Sequence, residues 1–110
     1  MNIKDLNHQD RPRERIIKHG PRALSDLELL AILLGSGTNK HTVLDIASSI
    51  LKEYDLTSLK NLTYTKLTKL KGIKTAKACL LLACFELARR GVSKVQSKLC
   101  LETAEDIYNY

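Results

Sequence analysis

The chain has 110 residues, 44% of them apolar, with one Phe, no Trp, four Tyr, two Pro and five Gly, and its 18 Lys and Arg exceed its 12 Asp and Glu by six charges. One domain's length of chain with a core drawn from Leu, Ile and Ala favours helices over a sandwich or barrel. The longest apolar run, Ala78 to Phe85, is too short to span a bilayer and Met1 to Asp5 lack a secretory h-region, so a soluble, cytoplasmic chain is expected.

Residues 1–9 read as a loose polar arm. Asp10 then caps a short helix through Pro12 to His19, with proline near the first turn where its missing N–H costs little. Gly20-Pro21 stops it. Ser25-Asp26-Leu27-Glu28 is a capping box that opens an apolar helix over Asp26 to Leu34, ended by Gly35-Ser36-Gly37-Thr38. A third helix, Thr42 to Tyr54, carries Val43, Ile46, Ala47, Ile50 and Leu51 as one stripe.

Thr57-Ser58 and Thr63 offer caps for a short turn and then a helix through Leu70, with Leu67 and Leu70 inward and Lys66, Lys69 and Lys71 outward. The longest helix is expected over Thr75 to Arg90 with Gly91 as its C′ residue, its buried stripe formed by Ala76, Cys79, Leu80, Ala83 and Leu87 and widened by Leu81, Leu82 and Phe85. Val92 to Leu101 reads as polar and irregular, and Thr103 to Asp106 opens a further helix. The expected organisation is a helical domain over residues 10–92, followed over 93–110 by a linker and the start of a missing C-terminal region.

The charge is concentrated. Residues 1–59 are neutral, residues 60–98 carry +9 and residues 99–110 carry −3. A basic segment beside a neutral half suggests a polyanionic partner. The three cysteines (Cys79, Cys84, Cys100) and three histidines (His8, His19, His41) show no metal-ligand spacing, so no metal or other cofactor is expected and the thiols are read as free and mostly buried.

Leu30, Leu33, Gly35 and Gly37 recur 37 residues later as Leu67, Leu70, Gly72 and Lys74, which suggests a duplicated hairpin. In the second copy, Gly72 ends one helix in a left-handed residue, Ile73 pins the turn inward, and the next helix begins with unpaired N–H groups that favour an anion. Lys69, Lys71, Lys74 and Lys77 surround that point and Thr75 adds a hydroxyl, an arrangement suited to backbone phosphate rather than base edges. The same turn also reads as an ordinary hairpin between packed helices. Gly35, Ser36, Gly37, Thr38 and Lys40 read either as a second phosphate loop or as a plain surface turn, without the Gly-Lys-Ser/Thr ending of a nucleotide loop. Arg11, Arg13 and Arg15 are candidates for nucleic-acid contact, whereas Glu14 and Lys18 are spaced as an i, i+4 pair on a solvated helix. The tyrosines do not interleave with the basic cluster as a stacking platform would.

Leu67 to Ala78 resembles a helix-hairpin-helix DNA-binding motif: Gly72, Ile73 and Ala78 match its pattern, and Lys74 stands where the second glycine is usual. If position 74 required positive φ, a non-glycine there would cost about 1–2 kcal/mol. Arg11 to Pro21, Ala23 to Leu34 and Glu86-Leu-Ala-Arg-Arg together resemble the amino-terminal region of RadC-type (UPF0758) bacterial proteins, over residues 6–110. That resemblance implies a partner domain of JAB/MPN metallopeptidase type with a His-x-His zinc motif, which this sequence does not contain, and so no enzyme in this chain. The family is named for DNA repair. The reading is an all-α compact bundle of short helices with paired helix-hairpin-helix units, binding DNA without sequence specificity as an accessory domain. The alternative is a helical module that docks a protein partner or the JAB/MPN domain.

Overall fold

A computed structural model describes the backbone of residues 3–109 and the side chains of residues 11–93. Met1, Asn2 and the side chains of Lys94, Lys98 and Cys100 lie outside the described residues. The elements are α1 (Ile3–His19), a 3-10 turn (Pro21–Ala23), α2 (Asp26–Leu34), α3 (Val43–Glu53), α4 (Leu56–Leu59), α5 (Tyr64–Thr68) and α6 (Thr75–Asn109). The fold is all-helical, and no strand occurs among the described residues.

Side-chain caps set most of the starts. Ser25 Oγ accepts from Glu28 N, and the Glu28 carboxylate accepts from Ser25 N, closing the box that opens α2. Thr42 Oγ1 accepts from Asp45 N and Thr63 Oγ1 from Lys66 N, single caps at the starts of α3 and α5. Asp55, rather than Thr57 or Ser58, caps α4, taking the Ser58 amide at 2.8 Å. A carboxylate in the right place is at least as good a cap as a hydroxyl, and it engages the very residue expected to cap.

The core is built from α2 (Leu30, Ala31, Leu34), α3 (Val43, Ile46, Ala47, Ile50), Leu59, Leu62, Leu67, Leu70 and Ile73, with Ala78 and Leu81 from α6. The α3 stripe is as the sequence indicates, although Leu51 is only half-buried.

Three features differ from the sequence reading. From Ile3 onward the expected arm is helix, so Pro12 is buried inside α1 rather than at its first turn. At the other end α6 continues through Gly91 and the stretch expected to be irregular. A lone glycine costs a helix about 1 kcal/mol and does not end it where helix formers such as Arg89, Arg90, Lys94 and Gln96 flank it and no proline follows.

The third difference concerns which face of α6 is buried. Ala78 and Leu81 are fully buried and Leu82 and Phe85 pack beside them, whereas Ala76, Cys79, Leu80, Ala83 and Leu87 face solvent. Both faces are apolar, so periodicity alone cannot choose between them. Burial of Ile73 immediately before the helix fixes its rotation and decides the matter. Cys79 is therefore an exposed thiol and Cys84 a half-buried one, not the mostly buried pair expected.

Gly72, Gly35 and Gly91 test these features separately. Gly72 has φ +80°, and a Cβ there would lie 2.5 Å from Ile46 Cδ1, so Gly72→Ala is expected to cost about 2–5 kcal/mol, strain and overpacking together. Gly35, at φ +78° with open space around it, should show the strain alone, about 1–2 kcal/mol. Gly91→Ala should stabilise by about 0.5–1 kcal/mol. Thermal unfolding followed by circular dichroism gives all three, and the order Gly72→Ala, Gly35→Ala, wild type, Gly91→Ala is the expected ranking of melting temperatures.

Candidate nucleic-acid interface

α5 ends at Thr68, and the chain reverses through tight turns in which Leu70 N donates to Leu67 O and Ile73 N to Leu70 O. Gly72 supplies the left-handed residue and lies against Ile46 of α3, while Ile73 is 2% exposed. The Lys74 carbonyl then accepts from Ala78 N at 2.9 Å, the first bond of α6. The amides of Thr75, Ala76 and Lys77 thus belong to the first turn of a long helix, where backbone donors have no intrahelical acceptor.

Around this point Lys69, Lys71 and Lys74 are exposed and Lys77 is half-buried. None of the four is ion-paired to another described residue. From Leu56 to Phe85 the sequence has six lysines and no Asp or Glu, so the local field is uniformly positive. Position 74 does not need glycine: no described non-glycine residue has positive φ, and the strain considered for Lys74 does not arise.

Thr75 has a partner the sequence did not indicate. Its Oγ1 lies 2.9 Å from the Tyr64 hydroxyl. Tyr64 therefore reaches the start of α6 through its hydroxyl. When the phenol donates, the threonine proton remains free for an acceptor outside the protein. An eleven-residue separation across a turn leaves no periodic signal by which to find such a pair.

The earlier glycine loop is built differently. Gly35 also has positive φ, but Gly37, at the position matching Lys74, does not. A Cβ on Gly37 would collide with the His41 carbonyl, so this glycine permits close backbone approach. Thr38 N donates to His41 O, and Thr38 Oγ1 accepts from Lys40 N and His41 N. The loop spends these donors on itself, and Asp45 joins Lys40 in lining its cavity. Gly35, Ser36, Gly37, Thr38 and Lys40 thus form an internally bonded turn.

Of the N-terminal arginines, Arg11 and Arg13 are exposed and Arg15 has a structural task. Its guanidinium reaches both Glu28 carboxylate oxygens at 2.8 Å and the Ala23 carbonyl at 3.0 Å, tying α1 to the start of α2. The expected Glu14–Lys18 ion pair does not form. The Ser25 amide and hydroxyl, with Arg15, hold the Glu28 carboxyl below its ordinary value. On α6, hydrogen bonds from Arg89 and Arg90 lower that of Glu86 to about 2. Among the described residues no three His, Cys, Asp or Glu converge on a metal-sized space, and no helix is long and apolar enough to cross a membrane.

The family model described as UPF0758 N-terminal matches residues 3–79. The chain belongs to the UPF0758 family. A UPF0758 protein of Methanococcoides burtonii is 41% identical over 99% of this chain and 48% of its own length. Those of Chlorobium phaeovibrioides and Carboxydothermus hydrogenoformans are 42% and 44% identical, over 100% and 98% of this chain and 49% of their own lengths. The chain spans about half the length of these UPF0758 relatives. No solved structure matches it.

The Glu28 cluster gives a pH prediction. A carboxyl whose folded pKa is depressed contributes stability that is fully present above its unfolded value, ordinarily 4.5, and is lost as pH falls through the folded value. The melting temperature of the wild type should therefore fall more steeply below that pH than that of Glu28→Gln, which lacks the titrating group. Parallel profiles for the two proteins would remove the cluster from the account of α1–α2 docking.

Proposed function

We propose that this UPF0758 domain binds DNA through backbone phosphates, without sequence specificity, as the accessory amino-terminal domain of a RadC-like DNA repair protein. The observation that supports this most is the coincidence of an open helix start at Thr75 with four lysines that pair with no other described residue, on a segment free of acidic residues. Gly72, Ile73 and Ala78 match the helix-hairpin-helix pattern in sequence. In the structure Gly72 takes the left-handed conformation and Ile73 and Ala78 are buried, as that motif requires of its turn and second helix. Lys71, Lys74 and Lys77 supply charge, Thr75 a hydroxyl and the first-turn amides of α6 directed donors. Lys69 extends the positive surface.

Such contacts position a duplex without reading its bases. Exchange of bound cations for lysine makes binding fall steeply with salt, at about −0.9 in log K per log salt for each phosphate, hence roughly −4 to −5 for five contacts.

A second reading has its own observation. Leu80 and Leu87 expose an apolar face on α6, which fits a helical module that docks a protein partner or a JAB/MPN-type domain. Apolar docking predicts little response to salt.

Fluorescence anisotropy with labelled duplex and branched DNA over about 50–300 mM salt separates the two. Phosphate binding predicts a steep slope, lost in Lys74→Glu/Lys77→Glu and retained in Lys4→Glu. Equal losses in both variants, or no binding at the lowest salt, would sink the DNA reading.

A further inference from the structure

Several threonine hydroxyls of this domain are consumed by nearby backbone. Those of Thr42 and Thr63 accept the amides of Asp45 and Lys66, and that of Thr38 accepts the amides of Lys40 and His41. Thr68 Oγ1 donates to the carbonyls of Tyr64 and Thr65. Thr75 differs. Among the described residues its side chain bonds to the Tyr64 hydroxyl alone, at 2.9 Å, and the phenol has no other bond either.

Two hydroxyls joined by one hydrogen bond use one proton and leave the other. Whichever of the two donates, one proton stays available to an acceptor outside the pair. Both residues are exposed, Tyr64 by 44%, so that acceptor can arrive from solvent. Thr75 is the first residue of α6, beside opening-turn amides that lack intrahelical acceptors, and Lys74 and Lys77 flank it in sequence. An anionic oxygen can satisfy all these donors together, and on the DNA reading it is a non-bridging oxygen of the phosphate backbone.

The phenol has a task here. A threonine hydroxyl in a helix readily turns back to a carbonyl of the preceding turn, as that of Thr68 does in α5. Tyr64 opens α5 next to the Thr63 cap, and from there its hydroxyl draws Thr75 Oγ1 away from that alternative. Resting on the phosphate-binding reading above, we propose that Tyr64 is a positioning residue of the DNA site. Its hydroxyl orients that of Thr75 so that the pair presents one directed proton to a backbone phosphate.

Salt separates this role from that of the lysines. A lysine that neutralises a phosphate releases a cation and adds to the slope of log K against log salt, whereas a neutral hydroxyl releases none and shifts K alike at every salt. The test is anisotropy with labelled duplex over about 50–300 mM salt, for wild type, Tyr64→Phe, Thr75→Val, Thr75→Ser and Tyr64→Phe/Thr75→Val. Tyr64→Phe should bind about five- to tenfold more weakly with an unchanged slope, and the double variant no more weakly than Thr75→Val, because the two residues act as one unit. Thr75→Ser, which keeps the hydroxyl, should bind as wild type does. Thermal melts establish that each variant is folded at the assay temperature.

A folded Tyr64→Phe that binds as wild type does overturns the proposal and leaves the lysine reading standing. So does a flattened slope in that variant, or a double variant whose loss is the product of the single losses. Should Tyr64→Phe melt below the assay temperature, Thr75→Val decides: wild-type affinity in it removes the hydroxyl pair from the site. Failure of the wild type to bind at the lowest salt overturns the phosphate reading itself, and this role of Tyr64 with it.

Discussion

The close approach of Gly72 to Ile46 governs this domain. Ile46 is fully buried in α3, and its side chain fills the space in which any Cβ at position 72 would stand. The turn between α5 and α6 is thereby seated on the core rather than suspended over it. Ile73 follows into the interior, and a residue anchored there sets both the direction and the rotation of the helix that begins two positions later. Which face of α6 is buried, where its first-turn amides lie and which lysines surround them all follow from that seat. The positive φ of Gly72 and the steric limit act together, so the position is restricted to glycine for two independent reasons.

The electrostatic character of the hairpin depends as much on what is absent from the segment as on what is present. Six lysines over thirty residues without a carboxylate leave no internal partner nearby in sequence, and the acidic side chains that flank the stretch are occupied elsewhere: Asp55 caps α4 and Glu86 is held by Arg89 and Arg90. In the amino-terminal half the opposite holds. Arg15 is matched to Glu28, and the glycine loop before α3 closes its donors on its own carbonyl and hydroxyl. Similar residue types therefore do different work in the two halves, structural bonding in one and uncompensated charge in the other.

Much of this was legible in the sequence where local chemistry decides. The Ser25–Glu28 box, the extent of α2, the α3 stripe and the turn at Gly72 are set by residues three or four apart, and they stand where spacing puts them. Tyr64–Thr75 and Arg15–Glu28 were not legible, because each joins residues eleven or more apart across a turn, where no periodicity links them. The orientation of α6 failed for another reason. Its sequence is apolar on opposite faces, and only tertiary anchoring at Ile73 distinguishes them. Gly91 was misleading because glycine near a run of polar residues resembles a helix end, although nothing there forces one.

We propose that Gly72 to Lys77 form the surface that meets phosphate. Nuclear magnetic resonance of the ¹⁵N-labelled domain during titration with a short DNA duplex tests it residue by residue. The account predicts that the largest amide shifts fall on Gly72, Lys74, Thr75 and Lys77, with Tyr64 and Lys71 next and the Gly35–Thr42 loop unmoved. Shifts confined to that loop or to the outer face of α6, or a spectrum unchanged at low salt, would contradict it.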